Sequence, residues 1–399
     1  MNFIAKLGCR IFQIAFRVAL PILPYREPKI YNSIAELREL FSALKVSSVL
    51  LITDKFLRES GATAGLEELL MKNSINCAVY DGTRANPTVA NVEEARELYM
   101  SEGCECIIAL GGGSSMDCAK AVGARIAYPN KPLKKMKGIL RVLRRIPTLI
   151  AIPTTAGTGS EVTLAAVITD DKEHHKYAIN SFPLIPRYAV LDPELTYSLP
   201  PHLTATTGMD ALTHAVEAYI GRSTTKATRA MATEAVKLIF ENIETAYSDG
   251  HNREARENML RAAYLAGNAF TQSYVGYIHA IAHSLGGKYN IPHGLANSVI
   301  MPYVLEEYDA AAHKKLHRLA IAAGISTESE SDRSGAEKFI SAVREMNKRM
   351  KIPEKLNGIR KEDIREMSDH AAKEANPLYP VPVIWGADEL AKLYLKIGD

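Results

Sequence analysis

The sequence predicts an α/β N-terminal domain built on a parallel sheet, followed by an all-helical C-terminal domain. From Val46 to about Thr155, short apolar runs alternate with stretches of helical length, which is typical of parallel βαβ units with buried strands. After Pro200 and Pro201 the strand pattern nearly disappears and helical patterns take over. A chain of 399 residues also exceeds the usual size of one domain. We therefore expect an N-terminal extension (1–24), an α/β domain (25–200) and a helical domain (201–399).

The composition argues against some classes of protein. A net charge of +3 is small for this length, and no basic run is interleaved with aromatic residues, so we expect no nucleic-acid binding. The five cysteines form no C-x-x-C pair, which favours free thiols in a reducing, cytoplasmic compartment. The basic stretch from Lys131 to Arg145 is interpreted as solvated surface, and the alternative is a patch that meets an acidic partner or a phosphorylated ligand.

The first 24 residues have a pattern of their own. A polar stripe recurs at helical spacing opposite an apolar face, and consists of Lys6, Arg10, Gln13 and Arg17. These charges distinguish the segment from a secretory signal or a membrane span, so it predicts an amphipathic helix that ends near Pro21 and Pro24. Two interpretations stay open: a helix docked on this protein or a sister subunit, and a basic helix that makes peripheral membrane contact through residues 2–20.

Glycines follow one of the predicted strands. The run ECIIAL leads into Gly111–Asp117 (GGGSSMD) and then a helix, where backbone amides and the helix N-terminus could hold a pyrophosphate. Met116 stands in place of the last glycine of the usual Rossmann fingerprint, and the lysine of a P-loop is lacking. A purely structural glycine turn is therefore the alternative.

Two further strand ends carry polar groups. The stretch Ile152–Glu161 offers three threonine hydroxyls and two glycines, which can bind phosphate, ribose or nicotinamide groups. Asp54 ends the first predicted strand, where a carboxylate can accept hydrogen bonds from an adenosine ribose and would repel a 2′-phosphate, favouring NAD over NADP. The alternative for Asp54 is an N-cap of the following helix.

The helical half contains a concentration of metal-ligand residue types. Asp210 and His214 stand four residues apart and so share one helical face, as do His279 and His283, while His293 opens a further helix after Pro292. One carboxylate and up to three imidazoles suit Zn(II) or Fe(II), with open positions for a substrate oxygen. Only one of His279 and His283 need be a ligand. Hydrogen bonding of such pairs within a core is the alternative.

Four motifs together resemble the iron-containing (group III) alcohol dehydrogenases. They are GGGSSMDCAK, IPTTAGTGSE, GMDALTHAVEAY and HAIAHSLGGKYNIPHG, in the family's order and spacing. The resemblance covers about residue 27 to the end. It implies a dehydroquinate synthase-like architecture, NAD or NADP as cofactor, a divalent metal that is Fe(II) or Zn(II), and hydride transfer to or from a small alcohol or aldehyde. We also expect a homodimer or another homo-oligomer.

The resemblance implies a role for individual residues. The metal ligands would be Asp210, His214, His279 and His293. His283 would be a non-ligand beside the nicotinamide, implicated in proton movement. The cofactor contacts would be Asp54, Asn86, Gly112, Gly113, Ser114, Ser115, Thr154, Thr155, Thr158 and Lys176. Two departures from the family pattern, the N-terminal extension and the basic 131–145 segment, bear on partner and substrate rather than on the reaction.

Two other functions stay open on the sequence. The related dehydroquinate synthases use a similar fold, metal and NAD for a net non-redox lyase reaction, and formation of NADH from simple alcohols distinguishes the two. A non-catalytic scaffold with a membrane- or partner-binding N-terminal helix is the third reading, which the full set of ligand residues disfavours.

Overall fold

The computed structural model describes residues 1–171 and 175–399. The chain separates into two compact units, one formed by residues 24–198 and the other by residues 1–23 together with 199–399. The expected N-terminal helix is present as α1 (Phe3–Ala19) and belongs to the second unit. All five cysteines lie in the described part of the chain and are free thiols. Over the same residues, no helix has both the length and the apolar content that crossing a bilayer requires.

The first unit is an α/β domain, as predicted. Its described strands are β1 (Lys29–Tyr31), β2 (Ser48–Ile52), β3 (Asn76–Tyr80), β4 (Cys106–Gly111), β5 (Gly138–Ile139), β6 (Thr148–Pro153), β7 (Ala165–Asp170), β8 (His175–Asn180) and β9 (Tyr188–Val190). Six of them form a wholly parallel sheet in the order β1-β9-β6-β4-β2-β3. The other three form a small sheet in which β7 and β8 are antiparallel.

The apolar runs become central strands because both faces of the sheet are covered. Every residue of β2 and β4 is buried. Alternate side chains enter different cores: Leu50 and Ile107 lie in one cluster, whereas Val49 and Ile108 lie in the other. The covering helices are α2 (Leu37–Leu44), α3 (Lys55–Glu59), α4 (Ala64–Lys72), α5 (Val89–Ser101) and α6 (Gly113–Ala127). A parallel sheet between two apolar layers explains the continuous hydrophobic runs.

One expected helix is divided in two. The pattern from Leu57 to Lys72 predicts a single helix, but α3 ends at Glu59 and α4 begins at Ala64. Gly61 lies between them with φ +80°, a left-handed conformation that a helix cannot continue through.

The sheet order places the predicted polar strand ends side by side. Strand β4 lies between β2 and β6, and Gly111 at the end of β4 pairs with Pro153 at the end of β6. The chain reverses its direction of winding between β2 and β4, and parallel α/β sheets bind ligands beyond the carboxyl ends of strands at such a point. The glycine-rich and threonine-rich loops therefore share one edge of the sheet.

The second unit is helical, as predicted. Besides α1 its helices are α7 (Pro201–Ile220), α8 (Lys226–Ser248), α9 (Arg253–Ser273), α10 (Tyr277–Tyr289), α11 (His293–Tyr308), α12 (His313–Ala322), α13 (Asp332–Arg349), α14 (Ile364–Ala375) and α15 (Ala387–Ile397). The sequence pattern did not predict α15. Helix α7 is buried along most of its length, so it carries Asp210, His214 and Glu217 into the interior. Buried polar groups of this kind are costly unless they have partners.

Candidate metal centre and nucleotide-binding edge

The four residues expected to bind metal lie together in the helical unit. Asp210 and His214 occupy successive turns of α7, His279 lies on α10, and His293 is the first residue of α11. One ligand atom from each of the four lies within 4.8 Å of the others, and we call this group the four-ligand cluster. Nε2 of His293 is 3.5 Å and Nε2 of His279 is 3.9 Å from Oδ1 of Asp210.

Asn297 contacts three members of the four-ligand cluster. Its Nδ2 donates to Oδ1 of Asp210 at 2.6 Å and lies 3.1 Å from Nε2 of His293 and 3.3 Å from Nε2 of His279. A ring nitrogen that accepts a hydrogen bond carries a lone pair and no proton. The amide has two N–H groups and gives one to Asp210, so one imidazole at a time can accept the other, and both Nε2 atoms lie around the same small space.

Glu217 holds the ring of His279 from the opposite side. Its Oε2 lies 2.6 Å from Nδ1 of His279, and both side chains are buried. The two carboxylate oxygens also accept the backbone N–H groups of Gly276, at 2.7 Å, and Ile278, at 2.8 Å. A carboxylate so placed accepts the Nδ1 proton and leaves Nε2 free of one, which is the outer partner that metal-binding histidines commonly have.

Electrostatics favour the neutral form of His279. Burial holds the pKa of His279 well below its usual value, and the nearby His214, His293 and His283 lower it further. His214 lies in the same layer, since its ring stacks on that of His279 with centroids 4.5 Å apart and on Phe270 at 4.2 Å. Neutral imidazoles are the form that coordinates a cation.

A missing side chain lets α11 approach α7 closely. A Cβ built on Gly294 would lie 2.4 Å from the backbone oxygen of Thr206, a distance that atoms do not adopt. Glycine therefore permits a backbone contact next to His293, one helical turn before Asp210 along α7.

The donor set fits a divalent cation. It offers one carboxylate and three imidazoles from three helices, with ligand atoms already grouped and an outer carboxylate on one ring. Three nitrogens and an oxygen suit both Zn(II) and Fe(II), and this ligand set does not discriminate between the two ions.

His283 lies beside the four-ligand cluster and outside it. Its ring stacks on His293 with centroids 5.2 Å apart and planes 18° from parallel. Its Nδ1 lies 2.6 Å from Oε1 of Glu374, which also accepts the hydroxyl proton of Tyr379 at 2.7 Å. Burial acts to raise the pKa of Glu374, but the charge and hydrogen bond of His283, together with Tyr379, outweigh it and lower that pKa. Both His283 and Glu374 are partly exposed, at 40% and 35% of their side chains, so this pair can exchange protons with water.

In the α/β unit, the glycine-rich and threonine-rich loops lie against each other. A Cβ on Gly112 would lie 3.6 Å from Thr155, and one on Gly113 would lie 3.0 Å from Thr158. Gly112 is the N-cap of α6 and provides no side-chain cap, so the first N–H groups of α6 remain available to an anion. Oγ1 of Thr155 is buried without a hydrogen-bond partner in the described structure. This edge has the cradle and the unused polar atom that a dinucleotide would use.

Two charged residues of the glycine motif hold this edge together. Asp117 accepts hydrogen bonds from the Ser160 hydroxyl and the Val167 backbone, both at 3.0 Å. The buried Lys120 ammonium donates to Ser160 at 2.9 Å and to the carbonyl of Ala165 at 2.8 Å. Burial lowers the pKa of Lys120 to about 8, against the opposing charges of Asp117 and Glu161. The two charges thus join α6 to the threonine-rich loop.

The remaining expected cofactor residues lie around the same edge. Asp54 caps α3, its Oδ1 accepting from the N–H of Leu57 at 3.0 Å, as the alternative reading predicts. Asn86 has φ +61°, and its N–H donates to Oγ of Ser114 at 3.3 Å. Ser115 is buried in the first turn of α6, and the N–H of Thr154 donates to the carbonyl of Gly111 at 3.0 Å.

Lys176 is connected to this edge of the sheet through its strand partner. It pairs with Thr169 across the β7–β8 hairpin, and Thr169 donates its N–H to the carbonyl of Pro87, next to Asn86, at 2.9 Å. Burial lowers the pKa of Lys176. The hairpin is thus tied to the Asn86 turn, and the cofactor roles of Asp54, Asn86 and Lys176 stay predictions.

Sequence reasoning missed three functional candidates: Glu217, Asn297 and Glu374. Glu217 follows His214 by three residues and Asn297 follows His293 by four, so helical spacing already placed each on a ligand face. Glu374 had no local signal, because it comes from α14, 91 residues beyond its partner His283.

Comparisons with known proteins agree with this geometry. Residues 30–193 match the family model described as iron-containing alcohol dehydrogenase, and residues 204–397 match its C-terminal companion, described as Fe-containing alcohol dehydrogenase family, C-terminal. The chain is 38% identical to the 1,3-propanediol dehydrogenase of Citrobacter freundii over 86% of this chain and 90% of that protein.

Solved structures give the same result. The alcohol dehydrogenase of Oenococcus oeni is 34% identical with a TM-score of 0.89, covering 94% of this chain and 100% of that one. The sulfoacetaldehyde reductase of Bifidobacterium kashiwanohense, solved in complex with NAD+, is 30% identical with a TM-score of 0.83 over 94% of this chain and 98% of that one. All three relatives are named as oxidoreductases, which does not favour the lyase alternative.

Proposed function

The chain belongs to the iron-containing alcohol dehydrogenase family, and from this premise we propose that the four-ligand cluster holds its catalytic metal. The protein is a metal-dependent oxidoreductase that transfers a hydride between a nicotinamide cofactor and an alcohol/aldehyde pair. The observation that carries the assignment of the site is the grouping of ligand atoms from one carboxylate and three imidazoles within 4.8 Å.

When bound, a divalent metal supplies Lewis acidity toward the substrate oxygen and NAD supplies the hydride acceptor. The protein supplies the positions of the groups that act with them. Glu217 and Asn297 fix the ring of His279 and the carboxylate of Asp210, so that their lone pairs point to one place before any ligand arrives. Pre-organisation of this kind spares the reorganisation of side chains during turnover.

Proton movement is assigned to His283. Alcohol oxidation releases one proton for each hydride transferred, and that proton must reach water. His283 stacks on the ligand His293 and bonds to Glu374, so it lies between the four-ligand cluster and an ionised carboxylate. Glu374 is a positioning residue, because it orients the imidazole and favours its protonated form.

Nucleotide binding is assigned to the α/β unit. The N-terminus of α6 with Gly112, Gly113 and Ser114 would hold the pyrophosphate. Thr155 and Thr158, packed against those glycines, would contact the phosphates or the nicotinamide ribose. Asp54 at the end of β2 favours NAD over NADP, since a carboxylate there would repel a 2′-phosphate.

We further propose a small primary alcohol or diol as substrate, a homodimeric assembly and a cytoplasmic location. The substrate class is supported by the 1,3-propanediol dehydrogenase of Citrobacter freundii, whose name specifies a short diol. The five free thiols are compatible with a reducing compartment.

Steady-state kinetics on metal-loaded enzyme test the proposed function. Enzyme prepared without oxygen and loaded with Fe(II) or Zn(II) should form NADH from short primary alcohols and diols, and should do so better with NAD than with NADP. Chelation should abolish turnover, and metal should restore it. Full activity after complete removal of metal, or absence of NADH formation with every alcohol in a broad panel, would refute the assignment.

A further inference from the structure

Helix α1 contacts the helical unit with its polar side. Arg10 donates to the carbonyls of Val381 and Pro382, both at 2.7 Å. Gln13, only 3% exposed, donates to the carbonyl of Tyr379 at 2.7 Å. Amphipathic helices of globular proteins ordinarily bury their apolar stripe and expose their charges. The orientation of α1 is the reverse of that arrangement.

The outward side of α1 is a continuous apolar surface. Six large side chains on it are between 50% and 80% exposed: Phe3, Ile4, Leu7, Ile11, Ile14 and Val18. We call these six the outer stripe of α1. With 17 residues, α1 is about 25 Å long. An apolar surface of this length marks a site of interaction rather than a water-facing helix.

A group of positively charged residues, one of them on α1, surrounds Lys315 of α12. Lys315 donates to the carbonyls of Ile220 and Gly221 at 2.8 and 2.6 Å. Its pKa is lowered to about 8, first by burial and then by nearby positive charges. Those charges belong to Arg229, Arg222, Arg17 and Arg318. Arg17 is on α1 itself, next to the outer stripe, and we call these four arginines with Lys315 the cationic cluster.

The charges of α1 indicate the kind of partner that covers it. The first 26 residues contain four basic residues and no acidic one. Arg10 faces the helical unit and Lys6 pairs with Glu389, so Arg17 is the basic residue of α1 that lies beside the outer stripe. A surface of anionic phospholipid offers acyl chains to the outer stripe and phosphates to the arginines.

We propose that α1 and the cationic cluster form a docking surface for anionic phospholipid membranes. The helix lies in the plane of the lipid interface, with the outer stripe among the upper acyl chains and the arginines at the phosphates. The polar side of α1 fixes it to the catalytic unit through Arg10 and Gln13, so the docking surface is formed before it meets lipid. The family match begins at residue 30, and the proposal does not depend on the proposed function.

Vesicle co-sedimentation of the full-length protein tests the proposal. Wild-type protein should sediment with vesicles of phosphatidylcholine and phosphatidylglycerol in equal parts, more weakly with phosphatidylcholine alone, and less as salt is added. Ile4→Ser combined with Ile11→Ser and Val18→Ser should lower the partition coefficient at least about tenfold, because three large apolar side chains are lost from the outer stripe. Arg17→Gln combined with Arg318→Gln should lower binding to the anionic vesicles selectively.

Matched variants on the α/β unit provide the control. Met71→Ser and Arg38→Gln remove an exposed apolar side chain and an exposed charge outside the docking surface, and should leave vesicle binding unchanged. Absence of wild-type binding to either vesicle would overturn the proposal, as would equal losses in control and test variants. A different outcome would also overturn the proposal: wild-type protein does not bind vesicles, and the triple-serine variant has a lower mass than wild type in sedimentation velocity without lipid. The outer stripe would then be an interface between copies of the chain.

Discussion

Nδ1 of His283 lies 2.6 Å from Oε1 of Glu374, so a histidine outside the four-ligand cluster is held by a carboxylate from another helix. We expect His283→Ala to lower kcat about 100-fold, within the usual range for loss of general acid–base catalysis, while metal content stays at the wild-type value. Steady-state kinetics and elemental analysis of the same preparation measure both. His293→Ala should lose metal and turnover together, and loss of metal from His283→Ala would contradict the division of roles.

Replacement of Glu374 tests whether it acts through His283. Glu374→Gln keeps the size of the side chain but removes its charge, so the protonated form of His283 loses a stabilising partner. We expect kcat to fall about tenfold, a smaller loss than in His283→Ala, and the pH profile of kcat to shift to lower pH. A profile that stays in place while kcat falls would indicate a merely structural contribution.

Replacement of the Glu217 carboxyl group should weaken metal binding. In Glu217→Gln the amide cannot accept the Nδ1 proton of His279 in the same way, and loss of such an outer partner commonly lowers metal affinity about 10- to 100-fold. Titration of metal-free protein with Zn(II) measures the change. Glu241→Gln, an exposed change on α8, is the control. Wild-type affinity in Glu217→Gln would exclude this role.

The glycine-rich edge can be tested at Gly113. A Cβ there would lie 3.0 Å from Thr158, so Gly113→Ala should displace the threonine-rich loop from the N-terminus of α6. We expect KM for NAD to rise at least about tenfold, equivalent to about 1.4 kcal/mol of binding free energy, with unchanged metal content. Gly65→Ala adds its methyl group to open space and should leave KM for NAD unchanged.

Asp363 connects stability to pH. The hydrogen bond from Tyr289, with those from Arg360 and Lys288, lowers the pKa of Asp363 from 3.8 to about 2. A carboxyl group whose pKa is lowered by folding stabilises the protein fully at pH values above its pKa in the unfolded chain. That contribution is lost as the pH falls toward its pKa in the folded protein. Asp363→Asn should therefore be less stable than wild type at neutral pH, and the difference should close near pH 2. Urea unfolding midpoints at both pH values measure this, and a difference independent of pH would rule out the ionic explanation.

The grouping of the four candidate ligands could be predicted partly from helical spacing and partly from the family resemblance. Asp210 and His214 share a face of α7, and the motif around His279 and His293 supplies the rest. Glu217 continues the same face and was within reach of the same reasoning. Glu374 was not, because its contact with His283 arises only when α14 packs against α10.

The orientation of α1 could not be read from its periodicity. The pattern of charged and apolar residues defines two faces but does not say which one meets the protein. The polar face packs against the protein because the backbone carbonyls of Tyr379, Val381 and Pro382 accept hydrogen bonds from Arg10 and Gln13. Those acceptors belong to a loop more than 360 residues away, which local reasoning does not reach.

The position of the proposed ligand His293 depends on the absence of a side chain at the neighbouring Gly294. Because the backbone oxygen of Thr206 occupies the space of a Cβ, a methyl group at position 294 must push α11 away from α7. His293 begins α11 and would move with it, while the other three ligands belong to α7 and α10 and would stay. A variant as mild as Gly294→Ala would then convert a four-ligand site into a three-ligand one with every ligand residue still in the sequence. Inspection of the ligand residues alone would miss such a loss of function.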